Sequence, residues 1–292
     1  MAATKTMPAF KVENTHRNAV TVRVEIESTK DWEQWFLLRS DAHHDNAHCD
    51  WAMEKRHLDQ CIERNAGWID NGDLFCAMQG KWDKRQDRSA LREEYQQGPY
   101  LDRLVQVAAD FYQPYAHHCV LLGRGNHETA MYKHHETDLT DRLATVLNDR
   151  TGSSILAGGY AGFVRFCFQR SNERKSIVLH HYHGSGGGGP VTKDMIGANR
   201  LQVAADADIY WTGHTHDAWH NTMMKTSLSA LGVPEQRPVD FVKTPSYKDE
   251  YLDGFGGWSV ERRMPPKPRG AYWLRFFWDG RRGLQREFIF AQ

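Results

Sequence analysis

The sequence has no excess of charge of either sign: 37 Lys and Arg are matched by 37 Asp and Glu. A global field favouring nucleic acid or an acidic membrane is therefore excluded, and any electrostatic preference is local. No pair of cysteines has CxxC spacing. The five, Cys49, Cys61, Cys76, Cys119 and Cys167, are odd in number and scattered, which argues against a zinc knuckle and a disulfide framework and reads as buried thiols. No apolar run is long enough to span a bilayer, and the first residues, MAATKTMPAFKVENTHRN, lack the apolar core of a signal peptide. A soluble, cytoplasmic protein without membrane contact is expected. There is no internal repeat or low-complexity linker, so residues 1–292 are expected to form a single domain.

Against these absences stand 16 histidines and a 40% hydrophobic content, enough for one large core. Apolar runs that read as buried strands are WFLLRS (35–40), WIDNG (68–72), CVLLG (119–123), FVRFCF (163–168), SIVLH (176–180) and DIYWTG (208–213). Helical spacing occurs in 49–66, in 89–116 with a break near Gly98 and Pro99, and in 137–149 and 193–205. Strands alternating with helices predict an α/β fold with a partly parallel sheet. Runs such as RPVDFVKT and AYWLRFFWD predict that residues 217–292 complete a second, mostly antiparallel sheet.

The histidines matter through position. Asp41 and His43 follow the first run, Gly72-Asp73 the second, Gly125-Asn126-His127-Glu128 the third, His183-Gly184 the fifth, and Gly213-His214-Thr215-His216 the last. Ligands of open α/β sheets sit beyond the carboxyl ends of the strands, so these turns are expected to converge on one crevice. Residues two apart, as in the pairs Asp41/His43 and His214/His216, project to one side of an extended segment. Glycines beside Asp73, Asn126 and His214 let the backbone turn sharply and approach a ligand. Convergent His, Asp and Asn side chains at strand ends signal a metal site or catalysis.

The ordered set DAH, GD, GNHE, HG and GHTH resembles the calcineurin-like metallophosphoesterase superfamily over about residues 36–216. The resemblance implies a sandwich of two mixed β-sheets flanked by helices, and a binuclear metal-dependent phosphoesterase acting on phosphomono- or phosphodiesters by attack of a metal-bridging hydroxide. By similarity, Asp41, His43 and His216 would hold one divalent ion, Asn126, His183 and His214 the other, and Asp73 would bridge them. The mixed donors suit manganese, iron, zinc or nickel, with manganese favoured. His127 would be the catalytic histidine that stabilises or protonates the leaving oxygen, and Arg124 a phosphate contact, with a surface ion pair as the alternative. After Gly72-Asp73 the chain continues LFCAMQ, so the acidic partner of the catalytic histidine in the serine/threonine phosphatase branch has no counterpart to carry over.

Within HHYHG, an extended strand puts His181 and His183 on one side and His180 on the other. His183 is the expected ligand, with His181 as the fallback. Gly184 and Gly189 have Walker spacing, but Pro190 and Val191 stand where Lys and Ser/Thr are needed, so the glycines read as a pliable rim. His44, His48, His117, His118, His134, His135 and His220 are expected to be solvated or packed. KWDKRQDR (81–88) reads as a solvated face. Arg262, Arg263, Lys267 and Arg269 either line the site or form a proline-stiffened turn, and Tyr251, Phe255 and Trp258 form either a stacking loop or core. The partner expected is a phosphate-ester substrate. A nuclease of the same superfamily and a non-catalytic scaffold are the alternatives: neutral charge disfavours the first, and an intact donor set disfavours the second.

Overall fold

In the run EQWFLLR, alternate side chains meet two different cores. Phe36 and Leu38 face one buried cluster, while Leu37 faces another. A strand apolar on both sides belongs in the interior of a layered structure. The computed structural model describes residues 7–79, 88–187, 189, 191–229, 231–255 and 258–292. The KWDKRQDR segment, apart from Arg88, lies outside them.

Six strands form one sheet in the order β13-β12-β3-β4-β5-β6, built from β3 (Glu33–Arg39), β4 (Gly67–Asp70), β5 (Cys119–Leu122), β6 (Leu156–Ala157), β12 (Ala271–Asp279) and β13 (Gly283–Ala291). Seven form the other in the order β1-β2-β7-β8-β9-β11-β10: β1 (Phe10–His16), β2 (Ala19–Glu25), β7 (Ala161–Arg170), β8 (Glu173–Tyr182), β9 (Ile209–Thr212), β10 (Trp219–Leu228) and β11 (Pro234–Lys243). Both mix parallel and antiparallel pairs. The sandwich of two mixed sheets flanked by helices implied by the resemblance is the architecture found.

Between the sheets, Phe36, Leu38, Ile69 and Leu121 pack against Val22, Phe166, Leu179 and Trp211. The outer face of the six-stranded sheet is covered by α1 (Trp51–Glu63), α2 (Tyr100–Tyr112) and α4 (Leu139–Thr151), through Leu58, Leu104, Ala108 and Leu143. α3 (Asn126–His135) leaves the end of β5, and α5 (Met195–Ala204) covers the seven-stranded sheet through Ala198. Helix boundaries follow local chemistry. The Asp50 side chain accepts from the Met53 amide to start α1, Pro99 precedes α2, and Gly152 (φ 73°) ends α4.

One expectation is corrected. The C-terminal strands do not all join the second sheet: β10 and β11 do, but β12 pairs antiparallel with β3, with Tyr272 opposite Leu38, and β13 follows it. Trp273 faces the helices while Leu274 and Phe276 face the inter-sheet core, so β12 is apolar on both faces and fits beside β3. The N-terminal hairpin β1–β2, which showed no sequence signal that was read as structure, pairs with β7 in parallel through β2.

Under the carboxyl ends of β3 and β4 lies a buried cation. Arg39 is fully buried, donating to Glu54 at 2.6 Å and to Asp70 at 2.8 Å, with its guanidinium over Trp68, Tyr112 and Tyr247. Removing one member of such a group strands the others as uncompensated charges. Arg39→Ala should therefore cost about 3–5 kcal/mol of unfolding free energy, read as a lower urea midpoint; an unchanged midpoint would contradict the assignment.

Candidate metal centre

The turns after β3, β4, β5, β8 and β9 open on the same rim, as strand topology predicts. Their conformation is not the extended one. Asp41, His43, Asp73, His214 and His216 have φ of 54°, 48°, 53°, 70° and 57°, a left-handed region that non-glycine residues enter only where the surroundings hold them. The pairs two apart thus share a side because of turns beyond the strand ends.

Two groups result. Asp41, His43 and His216 place donor atoms within 4.8 Å of one another, as do Asp73, His183 and His214. In the first, the Nε2 atoms of His43 and His216 lie 3.3 Å apart, and Asp41 Oδ1 is 3.4 Å from His216 Nε2. In the second, His183 Nε2 is 3.1 Å from Asp73 Oδ2 and 3.2 Å from Asn126 Oδ1. Asp41 Oδ1 is also 3.9 Å from His183 Nε2, so the groups adjoin. All seven candidate ligand residues are brought to this rim.

The surrounding groups aim the donors. His183 Nδ1 donates to the Asn71 carbonyl at 2.7 Å and His216 Nδ1 lies 3.2 Å from Glu250 Oε2, leaving each Nε2 directed into the cluster. His214 N donates to Asp41 Oδ2 at 2.9 Å. The Glu128 carboxylate accepts from the amides of Asp73, Phe75 and Gly125, while His127 N donates to Asp73 Oδ1 at the start of α3. A Cβ on Gly125 would stand 2.1 Å from Asp73 Oδ1, and one on Gly213 2.5 Å from Asp41 Oδ2. These glycines exist for close approach.

His183, not His181, enters the cluster. His181 Nδ1 meets Asn71 Oδ1 at 3.1 Å, and burial drives its pKa down to about 3. In the glycine run, the close approach is at Gly184 (φ 128°), where a Cβ would stand 2.7 Å from His214 Cβ; Gly186 and Gly187 face open space, and Gly188 and Pro190 lie outside the described residues. Beside this loop a cavity of about 330 Å³ is lined by Ser185, Thr192, Asp194, Arg200 and Thr212.

His127 sits at the rim, its Nε2 3.8 Å from Asp73 Oδ2 and its Nδ1 donating to the Cys76 carbonyl. A backbone carbonyl therefore holds the position for which no acidic residue could be found. The Arg124 guanidinium pairs with Asp138 and lies over Tyr132. The ion pair, the alternative reading from sequence, is the arrangement found. Lys267 and Arg269 are also engaged, with Asp217 and with Asp50 and Asp249. Phe255 is exposed and Tyr251 packs over Gly254, whereas the Trp258 side chain lies outside the described residues. His44 is buried, hydrogen-bonded to Glu54 and stacked on Trp51.

Sequence reasoning did not single out Asn71, Glu250 or Cys76. Asn71 immediately precedes the GD motif and Cys76 closes LFC, so both lay next to a signal; Glu250 comes from a loop far along the chain and had none.

The donor set fits divalent ions. Burial opposes a proton on His183, but Asp73 and Asp41 outweigh it and lift the pKa to about 9; burial likewise opposes a proton on His216, which Glu250 and Asp41 lift to about 10. Asp41 is held down at about 2 despite burial, because His216 and His183 stabilise its charge, and Asp73 is likewise kept ionised by His183 and His127. The metal-free cluster thus keeps protons where cations would sit.

No family model matches the sequence, and no curated protein matches it. Among solved structures the chain is similar to GAP50, titled the anchor in the inner membrane complex of Plasmodium, with 10% identity, a TM-score of 0.45, and coverage of 89% of this chain and 85% of that one. It is also similar to Vps29 of Chaetomium thermophilum, with 10% identity, a TM-score of 0.35, and coverage of 89% and 97%. Likeness of this degree assigns neither family nor activity.

Because His183 and His216 are protonated below about 9 and 10, loading metal-free protein with Mn²⁺ near pH 7.5 should release up to about two protons. The release should fall as pH rises through those values. Calorimetry in buffers of differing ionisation enthalpy measures it; no buffer dependence would mean that these histidines are not ligands.

Proposed function

We propose that the protein is a metal-dependent phosphoesterase. The observation that carries this reading is the meeting of Asp41-His43-His216 with Asp73-His183-His214 at the shared carboxyl-end rim of two sheets. Asp41, His43 and His216 would hold one divalent ion, Asn126, His183 and His214 a second, and Asp73 would lie between them. Bound there, two such ions would supply positive charge to the phosphoryl oxygens and acidify a water. Imidazole, carboxylate and amide donors together favour manganese, iron, zinc or nickel over calcium or magnesium.

The chain's own groups supply the rest. With Nδ1–H held by the Cys76 carbonyl, His127 has a fixed ring orientation, and in its protonated form Nε2–H points toward the Asp73 side of the cluster. There it donates a proton to the departing oxygen and reverts to the neutral tautomer with Nδ1–H unchanged. Asp73 is held by the His127 amide and, through its own amide, by Glu128, so carboxylate and acid keep a fixed separation. The polar cavity beside Gly184 gives the organic part of a small ester a place. With no net positive charge to follow a polymer of phosphates, a small ester is favoured over nucleic acid.

Asp73→Asn and His214→Ala should abolish Mn²⁺-dependent hydrolysis of an aryl phosphate, and His127→Ala should slow it by about 10²–10⁴-fold with metal content retained. Full activity in the first two variants would sink the proposal. Cleavage of DNA in preference to a bis-aryl phosphodiester would redirect it to a nuclease.

A further inference from the structure

The turn after β4 presents a thiol to the rim. Cys76 is 3% exposed and places its sulfur within 4.8 Å of a ring nitrogen of both His43 and His127, which lie within the same distance of each other. The turn is rigid. The amides of Cys76 and Ala77 both donate to Asp45, which also accepts from the Tyr100 hydroxyl, and the Cys76 carbonyl holds His127. Among the described residues, the hydrogen bond to the thiol sulfur comes from the Asn46 amide nitrogen at 3.6 Å. A second observation is independent of the sulfur: among the described residues, the Nδ1 of His43, itself 3% exposed, is buried without a hydrogen-bond partner. A buried ring nitrogen in that state is costly unless something occupies its lone pair.

We propose that His43, Cys76 and His127 form a site for one soft cation, Zn²⁺ or Cd²⁺, that overlaps the rim cluster and competes with it. The three donors are two imidazoles and a thiolate with no carboxylate, a set that selects zinc-like ions over manganese or magnesium. Bonds of about 2.0–2.3 Å put the donors of one ion within roughly 4.6 Å of each other, close to the spacing that the three side chains already have. On binding, the sulfur–metal bond forms as the thiol proton leaves to solvent. The consequence is inhibitory. The ion caps His127 and sets a positive charge against His43 of the Asp41-His43-His216 group, so the ion that fills this site disables the rim.

The site stands on its three donors; only the inhibition rests on the phosphoesterase reading. Cd²⁺ titration of metal-free protein should produce a thiolate-to-cadmium absorption band that Mn²⁺ does not. The band should be lost in Cys76→Ser and retained in Cys49→Ser and Cys167→Ser, with far-ultraviolet circular dichroism confirming that each variant folds. Should Cys76→Ser fail to fold, His127→Ala serves instead and should weaken Cd²⁺ binding with the band diminished. A band unchanged in whichever variant folds overturns the proposal. In the activity assay, Cys76→Ser should relieve Cd²⁺ inhibition. If no variant hydrolyses phosphate esters but the band still depends on Cys76, the site holds and the phosphoesterase reading alone fails.

Discussion

Everything at the rim depends on holding acidic and imidazole residues in a left-handed backbone. Five such residues in one site cost about 1–3 kcal/mol each, and the price is met by hydrogen bonds from neighbouring turns. Asp41 N donates to the Gly72 carbonyl, His43 N to the Asp73 carbonyl and His44 N to the Leu74 carbonyl, so the pairing of β3 with β4 continues past the sheet into the turns. The Asp41 carbonyl in turn accepts from Ser246 Oγ. Where the turns press together, glycine is required, because a Cβ on Gly72 would stand 2.3 Å from the Gly125 amide nitrogen.

The layered core supplies the rigidity those turns need. Phe36 meets Phe166 across the sheet interface with ring centroids 4.7 Å apart, and Trp211 donates its indole N–H to Thr244. Asn71 spans the interface directly: its amide reaches the carbonyls of Tyr182 and Trp211 in the opposite sheet, and its own carbonyl orients His183. A single asparagine therefore ties the two sheets together at the rim and aims a candidate ligand, coupling packing to chemistry.

The six apolar runs read from sequence are strands β3, β4, β5, β7, β8 and β9, since each is a short run rich in β-branched or aromatic residues bounded by turn residues. Gly98 and Pro99 do mark the start of α2, but the residues before them form short 3-10 turns at Arg88–Ala90 and Glu93–Tyr95 instead of the first half of the expected broken helix. Strand partners were not legible: nothing in AYWLRFFWD states that it lies beside β3 instead of β11, because that choice is made by both-face burial in three dimensions. At the rim, the candidate ligands were legible as motifs, whereas Glu250 was not, since an isolated acid gains meaning only from the histidine it meets. Arg124 shows the converse. Its motif suggested phosphate, but Asp138 at the start of α4 lies within reach and takes the guanidinium.

The donors are divided between the sheets: Asp41, His43, Asp73 and Asn126 belong to turns of one, and His183, His214 and His216 to turns of the other. Contacts between such distant parts of a chain form late, after the loop-closure entropy has been overcome. An ion that needed donors from both groups would therefore find its full set only once the two sheets had closed on each other.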